Sequence, residues 1–281
     1  MHPYFGAEIA FPTKHGKIDL IAKDFKDTLN IELVSVNLDT DVFGTFSGEI
    51  ERQLSPLETA IAKAKAGAQE SGLDLAIASE GTIGNDFLVP FVISDVETIA
   101  LADIRNNLVI SETCRSFNIT AVSEKFSKSS DLDVFLKRAD FPNHKLIVKP
   151  DKFVGELKVI KGIGDFDALR NAIDELSNHS LNGTVAVESD FRAHNSPTRQ
   201  KNIRIVARQL ITRITNLCEK CDTPGFGKIT YLRGLKCTLC GIFDDQAIQS
   251  ELLTCISCDH QLPGKLISEA LDPAKCNWCN P

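Results

Sequence analysis

Apolar positions along residues 1–217 switch repeatedly between a period of two and a period near 3.6, so the chain predicts alternating strands and helices. AEIAF (7–11) reads as a first strand. Ile18, Ile21, Ala22, Phe25 and Leu29 then recur at helical spacing, and IELVSV (31–36) is a second strand. After a polar, Gly-rich loop (37–54), Ser55, Pro56 and Glu58 spell a capping box with proline in the first turn. LAIAS (75–79) predicts a short buried strand that ends before Glu80-Gly81-Thr82-Ile83-Gly84.

Four apolar runs over 87–124 (FLVPFVI, TIALADI, LVIS and ITAVS) predict consecutive strands, and KLIVK (145–149), ELKVI (156–160) and TVAVE (184–188) add three more. DFDALRNAIDEL (165–176) predicts an amphipathic helix. Ser196-Pro197 opens a long one, with Ile203, Val206, Ala207, Leu210, Ile214 and Leu217 as its core stripe. This order predicts an α/β fold with a mixed sheet flanked by helices over 1–217, followed by a small C-terminal double zinc-ribbon domain over 218–281.

The tail rests on cysteines. Eight of the nine form the pairs Cys218/Cys221, Cys237/Cys240, Cys255/Cys258 and Cys276/Cys279, with gaps of 15, 14 and 17 residues. Two thiolates two residues apart can share a tetrahedral metal, and a second pair completes four sulfurs, so the pattern predicts two structural Zn²⁺ sites. Spacing leaves all three ways of pairing the knuckles open. Consecutive pairing closes the shortest loops and is the preferred expectation.

A net charge of −7 argues against a chain built to coat nucleic acid. The tail carries six Lys/Arg against eight Asp/Glu. Its partner, if any, is expected to be protein more readily than RNA. The first residues lack a basic stretch followed by an apolar core, and no apolar run reaches the roughly 20 residues that cross a bilayer, so neither secretion nor membrane insertion is expected. Metal-spaced thiols suit a reducing compartment, the cytoplasm.

Three turns carry candidate chemistry. Thr13-Lys14-His15-Gly16-Lys17 joins a strand to a helix, where open backbone N–H groups and a lysine favour an anion. Asp39, Asp41, Glu49, Glu58 and Glu80 are carboxylates that could hold Mg²⁺ or orient a water, although a capping-box Glu58 needs no further role. Glu188 to Arg199 crowds Asp190, Arg192, His194 and Arg199 between a strand and a helix start. That suits phosphate, or else a network in which Asp190 pairs with Arg199.

SDFRAHNSPTR (189–199), GTFSGEI (44–50), ASEGTIG (78–84), the cysteine pairs and the closing CNWCNP resemble a bacterial family of unknown function that ends in zinc ribbons. Over about 7–125, the order Thr13…Lys17, Glu58-Thr59 with Lys63-Ala64, then Ala78-Ser79-Glu80-Gly81 is similar to the inosine/xanthosine triphosphate pyrophosphatase superfamily. That resemblance implies Mg²⁺-dependent hydrolysis of nucleoside triphosphates, with Thr13 and Lys17 on the phosphates and Glu58 and Glu80 on the metal or water. His15 and the absent base-recognition motifs depart from the superfamily pattern.

Together these point to a metal-dependent phosphohydrolase acting on a nucleotide or related phosphorylated small molecule. Glu80, Glu58 and His194 would be catalytic, and Thr13, His15, Lys17, Asp190, Arg192 and Arg199 would hold phosphate. The alternative is a noncatalytic protein that senses a phosphorylated ligand and contacts protein or RNA through its ribbons.

Overall fold

The computed structural model describes residues 1–13, 16–44 and 53–281. His15 and Glu49 lie outside the described residues, as does the Asp41 side chain.

The chain begins β1 (Glu8–Pro12), α1 (Lys17–Leu29), β2 (Glu32–Val36), α2 (Pro56–Ser71), β3 (Leu75–Asn85), β4 (Ile93–Asp103) and β5 (Leu108–Ser116). These strands form a mixed five-stranded sheet in the order β2-β1-β3-β4-β5. The β1 strand runs parallel to β2 and β3, and β3, β4 and β5 are antiparallel hairpins.

Alternation along the strands divides large from small side chains. Ile9, Phe11, Ile77, Ile99, Leu101 and Ile110 point to one face, where the core includes α1 and the later long helix. Ala10, Ala76, Ala78 and Ala102 point to the other, against Ala64 and Ala68 of α2. The alanine face lets α2 come close. A Cβ at Gly67 would lie 2.6 Å from the Pro12 ring. The predicted capping box of α2 is present, with Glu58 N–H donating to Ser55 Oγ and Ser55 N–H to Glu58 Oε2.

The chain continues β6 (Ser123–Phe126), α3 (Asp133–Arg138), β7 (Leu146–Pro150), β8 (Ile160–Ile163), α4 (Phe166–Ser177), β9 (Val185–Ser189) and α5 (Pro197–Thr215). The strands make a second, antiparallel sheet in the order β6-β9-β7-β8. Leu146, Val148, Val185 and Val187 pack on Leu169, Ala172, Ile173 and Leu176 of α4 and Phe135 of α3. Helix α5 returns to the first sheet through Ile203, Val206, Ala207, Leu210 and Ile214. None of the described helices is long and apolar enough to cross a membrane.

Several predicted boundaries are corrected. β3 does not stop at Ser79; it pairs residue by residue with β4 as far as Asn85, so Glu80 to Gly84 lie within a strand. FLVPFVI is not a strand. Pro90 has no N–H for a ladder, and the Asp86 carboxylate accepts from the N–H groups of Leu88 and Val89, which closes a turn whose tip leaves Phe91 97% exposed. The run over 87–124 is not one meander, because β6 begins only at Ser123 and joins the second sheet. The ELKVI segment becomes strand only at Ile160, and α3 had no counterpart in the sequence-based expectation.

The tail is a three-stranded antiparallel ribbon of β10 (Lys228–Lys236), β11 (Phe243–Thr254) and β12 (Gln261–Leu266). Its near end is fixed to the body. Ile256 packs against the first core, Gly225 approaches Ile110 so closely that a Cβ would lie 2.8 Å from it, and Arg213 Nε donates to the Gly225 carbonyl at 3.0 Å.

Candidate functional site

A cavity of about 550 Å³ is lined by the end of β1 and by β3 of the first sheet on one side and by the face of the second sheet that carries Ile147, Lys149 and Glu188 on the other. Pro12 and Thr13 at the end of β1, Lys17 at the start of α1, Lys63 of α2, and Ser79 and Glu80 of β3 form one wall. Ile147 and Lys149 of β7, Lys161 of β8, and Glu188 to Arg192 after β9 form the other, and Arg199 of α5 reaches in from below.

Thus Thr13, Lys17, Glu80, Asp190, Arg192 and Arg199, which span 187 sequence positions, line one cleft. Glu58 does not line it; that side chain is exposed at the cap of α2. His194 is also exposed and outside the lining, and burial followed by repulsion from Arg192 lowers its pKa.

Ion pairs fix most of the lining charges. Lys63 Nζ lies 2.5 Å from Glu80 Oε2, and Glu80 is 4% exposed. Lys149 meets Glu188 at 2.8 Å. Asp190 is the hub of its turn. It accepts from Arg192, from Asn195 Nδ2 at 2.8 Å and from the Gly162 N–H at 3.0 Å. Burial works against the Asp190 carboxylate, but the Arg192 guanidinium outweighs it and holds the pKa below the usual range.

The Asp190–Arg199 pair that stood as the alternative reading does not form; Asp190 pairs with Arg192 and Arg199 with Glu97. Arg199, 1% exposed, donates from Nε to Glu97 Oε1 at 2.5 Å and from Nη1 to the Phe191 carbonyl at 2.6 Å. Gly81 makes room for this pair, since a Cβ there would lie 2.6 Å from both Arg199 Nη2 and Glu97 Oε1. Two residues along β4, Asp95 is fully buried. Its Oδ2 accepts from Asn202 at 2.7 Å, and its Oδ1 has no partner among the described residues. Burial, then the neighbouring Glu97 charge, push its pKa up to about 7.

Lys17 differs from the paired bases. Its Nζ donates to Ser79 Oγ at 3.0 Å and approaches the Ser79 carbonyl at 3.5 Å. Burial, then repulsion from Arg199, lower its pKa to about 8, against the pull of Glu97 and Glu80.

Lys149, Lys161 and Glu97 are absent from the sequence-derived set. The signal for Lys149 is the period-two alternation of Leu146-Ile147-Val148-Lys149, which puts Lys149 on the face opposite the core. The three cleft carboxylates are each engaged by a base among the described residues.

The cysteines gather into two groups of four, Cys218/Cys221/Cys255/Cys258 and Cys237/Cys240/Cys276/Cys279, each with its sulfurs within 4.8 Å of one another. This corrects the expected consecutive pairing. The register Lys228↔Thr254 brings the first knuckle to the third, and Lys236↔Phe243 carries the second to the far end of the ribbon. There Cys237 bridges Leu271 and meets the fourth. Nine residues of β10 keep the first and second knuckles apart.

Cross-knuckle Sγ–Sγ distances are 3.7 Å in the near group and 3.8 Å in the far group. Four sulfurs around a zinc at about 2.3 Å form a tetrahedron with edges of about 3.8 Å, so both donor sets fit Zn²⁺.

Fold and sites together define a mixed α/β protein with a basic cleft and a ribbon carrying a four-cysteine group at each end. Residues 63–281 match the family described as a domain of unknown function, DUF6671, and the chain belongs to that family. No curated protein matches the chain.

Proposed function

We propose that the cleft between the two sheets binds a phosphorylated small molecule. The observation that carries this is the lining itself: six basic side chains, Lys17, Lys63, Lys149, Lys161, Arg192 and Arg199, against three carboxylates, Glu80, Glu188 and Asp190. Phosphate is held where charged donors converge in a partly dry site. Helix α1 adds to them, since its N-terminus opens beside the cleft at Lys17 and no side chain among the described residues caps it. A cavity of about 550 Å³ suits a metabolite or nucleotide.

Hydrolysis is a second reading, and one observation favours it. Glu80 is buried at the Lys17 end of the cleft, where a carboxylate can orient a water. The pyrophosphatase resemblance makes nucleoside triphosphates the first substrates to try. For the ribbon, the acidic balance favours a protein contact over RNA, and its thiolates suit the cytoplasm.

Thermal shift and calorimetry with inorganic phosphate, pyrophosphate, sugar phosphates and nucleotides test the reading. At least one should raise the melting temperature, and Lys17→Ala and Arg192→Ala should each weaken it about tenfold or more. No binding by any member overturns the proposal. Phosphate or pyrophosphate release in the same samples, abolished by Glu80→Gln, separates a hydrolase from a binding protein.

A further inference from the structure

We propose that Lys17 is an amine nucleophile that forms an imine with a phosphorylated aldehyde or ketone held in the cleft. This rests on the phosphate reading above for the ligand's anionic group and adds a covalent step to it. The argument begins with a difference among the cleft's bases. Lys63, Lys149, Arg192 and Arg199 each sit in an ion pair with a carboxylate. Lys17 forms none among the described residues; its Nζ is held by a neutral hydroxyl and a carbonyl, both of Ser79.

The charged groups that face it are Arg199 and Lys63, which repel a proton on Nζ, and Glu97 and Glu80, which attract one. Burial is the largest influence, and with the repulsion it lowers the pKa to about 8. Roughly a tenth of the Lys17 side chains are then neutral at pH 7 and half at pH 8. An amine buried beside other cations is the usual way a protein makes lysine nucleophilic near neutrality. A lysine meant only to hold phosphate would gain from a carboxylate partner that kept it charged.

The step balances without a further reagent. The neutral Nζ lone pair attacks the carbonyl carbon, and the carbonyl oxygen takes a proton to give a carbinolamine. Nitrogen then loses its proton, the C–O bond breaks, and the hydroxyl leaves as water. Amine and carbonyl become imine and water. The Ser79 hydroxyl, 3.0 Å from Nζ, is placed to pass the proton. The remaining bases of the lining hold the ligand's phosphate.

Pyridoxal 5′-phosphate followed by borohydride, which reduces an imine to a stable secondary amine, reads the site by peptide mapping. Lys17 should be labelled at least tenfold faster than the other lysines, with a rate that rises to a midpoint near pH 8. Inorganic phosphate should slow the label, and pyridoxal without its phosphate should label Lys17 at least tenfold more slowly. Lys17→Arg should lose the label, because a guanidinium does not form the imine. Label spread evenly over the lysines while phosphate still binds overturns the imine and leaves the anion reading standing. Uniform label with no binding of phosphate overturns both.

Discussion

The ribbon and the cleft concentrate charge by opposite means. In the ribbon, eight cysteine sulfurs gather in two groups of four, donor sets that fit a metal from outside the chain. In the cleft, the chain supplies its own counter-charges. Lys63 meets Glu80 across 17 positions, Lys149 meets Glu188 across 39, and Arg199 meets Glu97 across 102. The ribbon's donor sets suit an ion that the chain does not itself supply, whereas most charges of the cleft are balanced from within the chain.

The largest test of that contrast is metal removal. Structural zinc contributes about 10–16 kcal/mol of apparent folding energy per site, so a chelator should unfold the ribbon while the α/β sheets persist. Hydrogen exchange measured by mass spectrometry checks this, and equal loss of protection in both regions would break the contrast. A single substitution reads the pairing. Cys255→Ser should lower zinc from two ions to one per chain and expose Cys218, Cys221 and Cys258 to alkylation, leaving Cys237, Cys240, Cys276 and Cys279 protected. Consecutive pairing would instead expose Cys276 and Cys279.

A smaller effect belongs to the cleft's internal pairs. Arg199→Ala leaves the fully buried Glu97 carboxylate without its counter-ion, which costs about 3–5 kcal/mol. Arg199→Met combined with Glu97→Leu should recover much of that loss. Lys23→Ala, which removes the exposed pair with Asp27, should leave the denaturant midpoint essentially unmoved. Denaturant midpoints at constant slope give all three. A negligible loss in Arg199→Ala would show that the pair is not what organises the cleft floor.

The same contrast sets what the sequence made legible. Periodicity located most strands and helices, and the spacing of cysteines picked out the eight that gather into two groups of four. Knuckle pairing was hidden, because it follows from strand register, and the shortest-loop argument ignores the stiffness of a nine-residue strand between the first two knuckles. Thr13, Lys17, Glu80 and the 190–199 turn stood out as polar groups at the ends of apolar runs. Glu97 did not. It sits inside an apolar strand with no local cue, and its role as partner of Arg199 comes only from packing β4 against α5. FLVPFVI misled because hydrophobicity was weighed over Pro90 and the Asp86 turn.

The finest test concerns Asp95, whose carboxylate accepts from the amide of Asn202 and forms no ion pair among the described residues. Burial and the Glu97 charge raise its pKa to about 7, well above the ordinary carboxylate range. Between about pH 4 and pH 7 the folded chain therefore holds a proton that the unfolded chain has released. Stability falls as the pH rises through that window and is flat, with the full penalty present, above it. The depressed pKa of Asp190 acts with the opposite sign and at lower pH, since its contribution is lost only as acid protonates it. Asp95→Asn removes the titrating proton and keeps a partner for Asn202, so its urea midpoint should change less between pH 5 and pH 8 than that of the unsubstituted chain. Parallel profiles would mean that Asp95 is ionised in the folded state and that some other group neutralises it.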